Sequence, residues 1–385
     1  MENLAMERER SVAFFLATLG GGGAERVMLN LALGMAERGL KVDLVLANAT
    51  GDYLSQVPPS IRVIDLGAGR VLASLPKLIS YLRARQPSAL IAAVGHVNVV
   101  ALWAKRLARV QTRLIVTVHA SMSRNSTTDH AFKRHLWTQL TRWFYPWADA
   151  IVSVSEGAAD DLARLAGIPR TNITVISNPV VMPDLEQRAM EVPSHPWFSS
   201  SEPPVVLGVG RLTPQKDFPT LLRAFDEVRR KRSARLIILG EGPERSALEN
   251  RVQEMGLEKL VDLPGFVSNP YAFMAKSAVF VLSSAWEALP TVLIESMAVG
   301  TPVIATDCPS GPWEILEGGK YGGLVPVGDA AALAAEIESV LGHDKTIEQR
   351  ANIMARASEF GLSQSLDRYL AVLFPSNAVI GDARF

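Results

Sequence analysis

Ala285-Trp286-Glu287-Ala288-Leu289-Pro290-Thr291-Val292-Leu293-Ile294-Glu295-Ser296-Met297-Ala298-Val299-Gly300-Thr301-Pro302-Val303-Ile304-Ala305-Thr306 follows the apolar run Val279–Leu282. It reads as strand, loop, helix and strand. Pro290 is placed to open the helix, where a missing N–H costs nothing, and Gly300 is placed to close it. A helix leading directly into another buried strand is the crossover unit of a parallel sheet.

Working outward, the same alternation fills the second half. Strands are predicted at Val205–Val209, Leu236–Leu239, Leu260–Leu263, Val279–Leu282 and Pro302–Ala305, with helices near Pro219–Arg230, Glu244–Met255, Thr291–Val299 and Ala331–Leu341. The first half repeats the pattern, with strands Val12–Ala17, Val42–Leu46, Ile61–Asp65, Leu90–Ala93, Leu114–Val118, Ala150–Val154 and Ile173–Ile176. Ala24–Arg38, Leu75–Arg85 and Glu156–Leu165 carry helical periodicity between them. Residues 183–204 lapse into Pro, Ser, Glu and His and read as a linker. The fold expected is α/β, with two Rossmann-like doubly wound domains over 1–182 and 205–360 facing across a cleft. A C-terminal helical stretch, Leu362–Leu373, lies within 361–385. Ligands of such sheets bind at the C-terminal ends of the strands.

Composition narrows the function. The chain has 385 residues, is 48% hydrophobic and 20% charged, and so is globular rather than disordered or fibrous. One cysteine, Cys308, cannot make an internal disulfide, which favours a reducing compartment. The N-terminus lacks a basic n-region, and the longest uncharged stretch, 86–104, contains Pro87, His96 and Asn98; neither a signal peptide nor a spanning helix is expected. Net charge is zero but divided: residues 1–182 carry 20 basic and 13 acidic side chains, residues 183–385 carry 19 and 26. The first half is expected to attract an anion.

Several motifs carry chemistry. Gly20-Gly21-Gly22-Gly23 joins the first strand to the first helix, where backbone N–H groups can approach a phosphate. No third glycine follows in Gly-x-Gly-x-x-Gly spacing, and Asn48 stands where a ribose-binding acid would end the second strand, so a nicotinamide dinucleotide is not expected. Gly210-Arg211-Leu212 and Lys216 follow strand Val205–Val209, and two cations there suit a diphosphate. Glu295 lies among Leu293, Ile294, Met297 and Ala298; a carboxylate in that company needs a partner, and vicinal sugar hydroxyls would serve.

Glu287-x7-Glu295 in this block, with the Gly-Arg-Leu…Lys loop and the glycine run, resembles the family 4 glycosyltransferases. These are GT-B enzymes that retain the configuration of a nucleotide-sugar donor. The resemblance runs from Gly20 to about Leu341; it implies that the helix within 361–385 crosses back to the N-terminal domain, and it implies roles for particular residues. Arg211 and Lys216 would bind the donor diphosphate, Glu295 the ribose, and Glu287 the transferred sugar. Amides of Thr291, Val292 and Leu293 would face phosphate or sugar, and the backbone near Val267 would meet the base. Gly22 and Gly23 would close on the diphosphate, and His119 would stand near the sugar and the leaving phosphate. Pro309-Ser310-Gly311-Pro312-Trp313-Glu314-Ile315 resembles a motif of bacterial surface-glycan members. The family often has glycine where Ala288 stands, which bears on sugar specificity if that position needs positive φ.

The activity implied is metal-independent, retaining transfer of a hexose from a nucleotide-sugar, UDP favoured, to a lipid-linked glycan, lipopolysaccharide or capsule precursor. No cofactor is implied; no Asp-x-Asp or His/Cys cluster occurs in the chain. A nucleotide-sugar 2-epimerase and a non-catalytic binding module of the same fold remain alternatives. Phe132 to Trp147 interleaves Lys133, Arg134 and Arg142 with Trp137 and Trp143. It reads either as an anionic-membrane or acceptor surface at the inner face of the cytoplasmic membrane, or as a helix packing its aromatics inward. Nucleic acid is not expected, since no recognition motif accompanies the charge.

Overall fold

The structure is a computed structural model that describes residues 10–20, 23–119, 131–199, 201–343 and 346–375, with only the backbone at 131–134. It divides into a first unit, residues 1–179 with 362–385, and a second unit, residues 180–361.

The first unit holds a seven-stranded parallel sheet in the order β3-β2-β1-β4-β5-β6-β7. Its strands are β1 Ser11–Leu16, β2 Lys41–Leu46, β3 Arg62–Asp65, β4 Ala89–Ala93, β5 Arg113–Val118, β6 Ala150–Ser153 and β7 Ile173–Val175. Its helices are α1 Gly23–Glu37, α2 Leu75–Arg85, α3 Gly95–Ala108, α4 Ala131–Phe144 and α5 Glu156–Ala166. Every residue of β4 is buried, as expected of a strand covered on both faces. Side chains of β1 alternate between two cores. Ala13 and Phe15 join one that includes Leu82, Leu102 and Leu162. Val12, Phe14 and Leu16 join the other, with Met28 and Met35 of α1.

The second unit repeats the design with a six-stranded parallel sheet, β10-β9-β8-β11-β12-β13. The strands are β8 Val205–Val209, β9 Arg235–Leu239, β10 Val261–Gly265, β11 Val279–Leu282, β12 Val303–Thr306 and β13 Gly323–Val325. Helices α6 Leu185–Ala189, α7 Phe218–Arg229, α8 Arg245–Glu254, α9 Pro270–Lys276, α10 Thr291–Ala298, α11 Pro312–Ile315, α12 Ala330–Gly342 and α13 Ile347–Ser358 accompany them. In both sheets the order reverses beside the first strand, between β1 and β4 and between β8 and β11. In sheets of this kind ligands bind at the C-terminal strand ends beside that reversal.

One boundary differs from the sequence reading. Residues 183–204 are not a free linker: α6 lies against α9, and Asn269 Nδ2 donates to the Arg188 carbonyl (2.9 Å) and to Glu191 (2.9 Å). His195, its side chain 8% exposed, completes the attachment, with Nε2 2.8 Å from Asp262 and its ring edge-on to Phe273. Composition hid this, because few of these contacts are apolar. The last helix, α14 Leu362–Leu373, belongs to the first unit, where Leu366, Tyr369 and Leu373 are buried in the core beside α1. Gly34 of α1 permits that approach, since a Cβ there would stand 2.6 Å from Leu366.

Candidate active site

In the second unit, β8 runs through Gly210 and Arg211 into a single turn of 3-10 helix, Pro214–Lys216, ahead of α7. Asp217, at φ 44°, accepts from the Thr220 amide and caps α7. Arg211 is exposed and has no side-chain partner among the described residues. Lys216 turns inward instead: its Nζ lies 2.5 Å from Glu287 Oε1, and the two side chains are only 15% and 7% exposed. Ser284 Oγ donates to the same oxygen at 2.7 Å, and Gln215 Nε2 donates to Oε2 at 3.3 Å. Glu287 therefore sits in the crevice beyond β11 with its charge balanced, as a buried carboxylate must be.

Eight residues on, Glu295 occupies the middle of α10. It has no hydrogen-bond partner among the described residues, and withdrawal from water pushes its carboxyl up to about 7 against the pull of Arg188 and Lys216. Arg188 comes from α6. It lies over the Tyr271 ring at 4.6 Å and donates to the Ser268 carbonyl at 2.8 Å. Those contacts brace the loop after β10, where Gly265 has φ 90°, Phe266 is exposed and Val267 is half-buried.

The amides expected at the start of α10 are reduced from three to two. Leu293 N–H donates to the Pro290 carbonyl at 3.1 Å, which leaves Thr291 and Val292 to meet a ligand. Ala288 does not have a positive φ, so alanine fits that backbone unstrained. The strained residues lie across from it, at Ser310 (φ 69°) and Gly311 (φ 83°), and a Cβ on Gly311 would stand 2.5 Å from Pro290 Cδ. The Pro309–Ile315 motif thus packs onto the Glu287 loop. Cys308 is buried, and its thiol is pushed up to about 12 by burial and then by Glu287. It stays protonated and unreactive at neutral pH.

In the first unit, Gly23 opens α1 with nothing within 4 Å of where a Cβ would be, so its backbone is open to approach. Gly22 lies outside the described residues. His119 follows β5. Thr117 Oγ1 donates to the Ala92 carbonyl (2.9 Å), so its 3.0 Å contact with His119 Nε2 requires the ring N–H to donate. His119 Nδ1 is then the acceptor nitrogen of the ring, and it is buried. Burial pushes the imidazole down to about 4, with Asn178 opposing, so the ring is neutral at pH 7.

Helix α4 divides the basic aromatic segment. Phe144 and Trp147 pack edge-on around Trp103 with ring centroids 5.4 and 5.2 Å away, and Tyr145 is buried. Trp143 is 62% exposed, Trp137 40% exposed, and Arg142 is exposed. The side chains of Lys133 and Arg134 lie outside the described residues. Part of this stretch thus packs inward, while Trp137, Arg142 and Trp143 stay exposed. Among the described residues no helix is long and apolar enough to cross a membrane, and no group of three His, Cys, Asp or Glu could hold a metal.

Two family models match the chain: Glycosyltransferase Family 4 over residues 21–182 and Glycosyl transferases group 1 over 194–360. The chain belongs to the family 4 glycosyltransferases. Among its relatives is the N-acetylgalactosamine-N,N'-diacetylbacillosaminyl-diphospho-undecaprenol 4-alpha-N-acetylgalactosaminyltransferase of Campylobacter jejuni, 29% identical over 87% of this chain and 91% of the relative. The lipopolysaccharide core biosynthesis glycosyltransferase LpsE of Rhizobium meliloti is 27% identical over 91% of this chain and 96% of its own. Among solved structures, Anabaena HepE in complex with UDP superposes with a TM-score of 0.77 at 21% identity, covering 94% and 99% of the two chains. That likeness shows the shared GT-B fold.

In this glycosyltransferase Lys216 of one motif and Glu287 of the other are in contact. Arg211, Lys216, Glu287, Thr291 and Val292 all lie at the C-terminal ends of β8 and β11. Gln215, Ser284 and Arg188 were missed. Gln215 and Ser284 flank motif residues, but nothing in the sequence says that a chain separation of 72 residues closes to hydrogen-bond distance.

Proposed function

We propose that this glycosyltransferase moves a hexose-type sugar from a UDP-sugar to a lipid-linked glycan, lipopolysaccharide or capsule precursor, with retention and without a metal. The observation that carries the reading is the pairing of one buried and one free cation, Lys216 and Arg211, with the two open amides at the start of α10. All four lie where a diphosphate would gather negative charge as it departs. The bond from the anomeric carbon to the diphosphate oxygen breaks, the acceptor oxygen bonds to the same face, and its proton passes to the departing phosphate. Glu287 then need not be a nucleophile. The bacterial relatives acting in lipid-linked glycan and lipopolysaccharide synthesis support the acceptor class, and the UDP complex of a protein of the same fold supports the nucleotide.

Calorimetry with UDP and GDP, with and without EDTA, tests the donor half. UDP binds and EDTA leaves its affinity unchanged. Affinity also depends on pH through Glu295. Its carboxyl, raised to about 7, is protonated in the free protein at lower pH and must ionise to accept two ribose hydroxyls. Binding therefore tightens as pH rises from about 5 to 8 and releases a proton below about 7. Glu295→Gln binds more weakly and loses this dependence. Affinity that falls with rising pH in the unaltered protein would contradict the ribose role.

We place the enzyme at the inner face of the cytoplasmic membrane, held by Trp137, Arg142 and Trp143. Flotation with vesicles rich in anionic lipid checks this: the protein floats at low salt, and Trp143→Ala with Arg142→Ala does not. If the unaltered protein stays at the bottom of the gradient, the membrane contact is wrong.

A further inference from the structure

Gln215 stands between Arg211 and Lys216 in the sequence and reaches Glu287 from there, and its contacts give it a task that neither motif contains. Its side-chain amide donates to the Trp286 carbonyl at 3.0 Å and to Glu287 Oε2 at 3.3 Å. Its own carbonyl accepts from the Ala285 amide at 2.8 Å. Ser283 Oγ adds a bond to the Lys216 carbonyl at 2.7 Å. The loop after β8 and the loop after β11 are thus stitched together around one residue, within hydrogen-bond reach of the carboxylate expected to meet the sugar.

The bonding of that carboxylate is nearly complete. An ionised carboxylate offers about four acceptor positions, two on each oxygen. Glu287 Oε1 receives Lys216 Nζ at 2.5 Å and Ser284 Oγ at 2.7 Å, which fills it. Oε2 receives only Gln215, so one acceptor position remains on it among the described contacts. Glu287 is 6% exposed, and its open acceptor position is on Oε2.

We propose that Gln215 is a positioning and specificity residue: it fixes the rotation of Glu287 and limits the carboxylate to a single hydrogen bond from one hydroxyl of the donor sugar. The inference rests on the reading of Glu287 as the sugar contact. Gln215 itself touches neither phosphate nor sugar. Its contribution falls on the sugar half of the donor, whereas Lys216 serves both halves.

The test uses the full chain, Gln215→Glu and Gln215→Ala, with UDP and UDP-sugars (glucose, N-acetylglucosamine and N-acetylgalactosamine) as probes. Glutamate matches glutamine in size and preserves the main-chain bond to Ala285. It replaces the donating amide with a second carboxylate facing Glu287. UDP affinity stays within about threefold of the unaltered protein in both variants. The preference for the best UDP-sugar over UDP alone falls by about tenfold or more in Gln215→Glu, and kcat falls with it while KM for the acceptor holds. Gln215→Ala loses less sugar preference than Gln215→Glu and discriminates less among the three sugars. If Gln215 merely fills space, Gln215→Glu binds and turns over like the unaltered protein, and the proposal is overturned. Equal losses for UDP and UDP-sugar overturn it too, since they place the effect on the diphosphate. Absence of UDP binding to the unaltered protein speaks against the proposed function instead. Should Gln215→Ala unfold, the isosteric variant still decides.

Discussion

Lys216→Ala lowers glycosyl transfer by about 100- to 1000-fold, the loss expected when one preorganised donor to a developing oxyanion is removed. The structure adds a second consequence. Lys216 is the only cation in contact with Glu287 among the described residues, at 2.5 Å, and the carboxylate is 6% exposed. Removing it leaves a buried charge held by one hydroxyl and one amide, which costs about 3–5 kcal/mol at such sites. The variant therefore melts earlier as well as turning over slowly. The two effects separate in the double variant Lys216→Ala with Glu287→Gln. Stability recovers, because no charge is stranded, and activity does not. Full activity in Lys216→Ala would remove the diphosphate-binding role. A double variant no more stable than the single would mean that the pair contributes little to folding.

The second large effect comes from a residue without a side chain. Gly240 follows β9 with φ 133°, and a Cβ there would lie 2.0 Å from the Gly210 carbonyl oxygen. The obstacle is backbone, so no rotamer relieves it, and the backbone in question leads directly into Arg211. Gly240→Ala is expected to lose about 3 kcal/mol or more, combining a disfavoured backbone with a steric clash. At roughly 2–4 °C per kcal/mol for units of this size, Tm falls by about 6–12 °C. Gly256→Ala is the matched control, because Gly256 has φ 64° but nothing within 4 Å of a Cβ. It loses about 1 kcal/mol from conformation alone. Differential scanning calorimetry of both variants checks the contrast, and equal losses would show that the close approach is not the source.

The sequence made the sheets legible because buried parallel strands are continuous apolar runs; β4 and β11 stand where Leu90–Ala93 and Val279–Leu282 were read. The repeated strand order also follows from the alternation, since right-handed crossovers leave few other arrangements. Legibility ended where polar contacts between distant residues decide the structure. The attachment of 183–204 depends on Arg188, Asn269 and His195, none of which stands out from its neighbours. Gln215 is one more polar loop residue until Glu287 is placed beside it. The tautomer of His119 depends on where the Thr117 hydroxyl points, which no local pattern encodes. The spent amide of Leu293 depends on the tightness of the first turn of α10.

The most direct test of the central claim is to follow transfer itself. Purified protein is incubated with an α-linked UDP-sugar and a polyprenyl-diphosphate-linked glycan from a bacterial membrane, in EDTA, and the product is read by NMR. The account predicts UDP release matched by one new α-glycosidic bond on the acceptor, lost in Lys216→Ala. A β-linked product would contradict retention. UDP-sugar converted to its 2-epimer with no acceptor consumed, or transfer that EDTA abolishes, would contradict the account of the site.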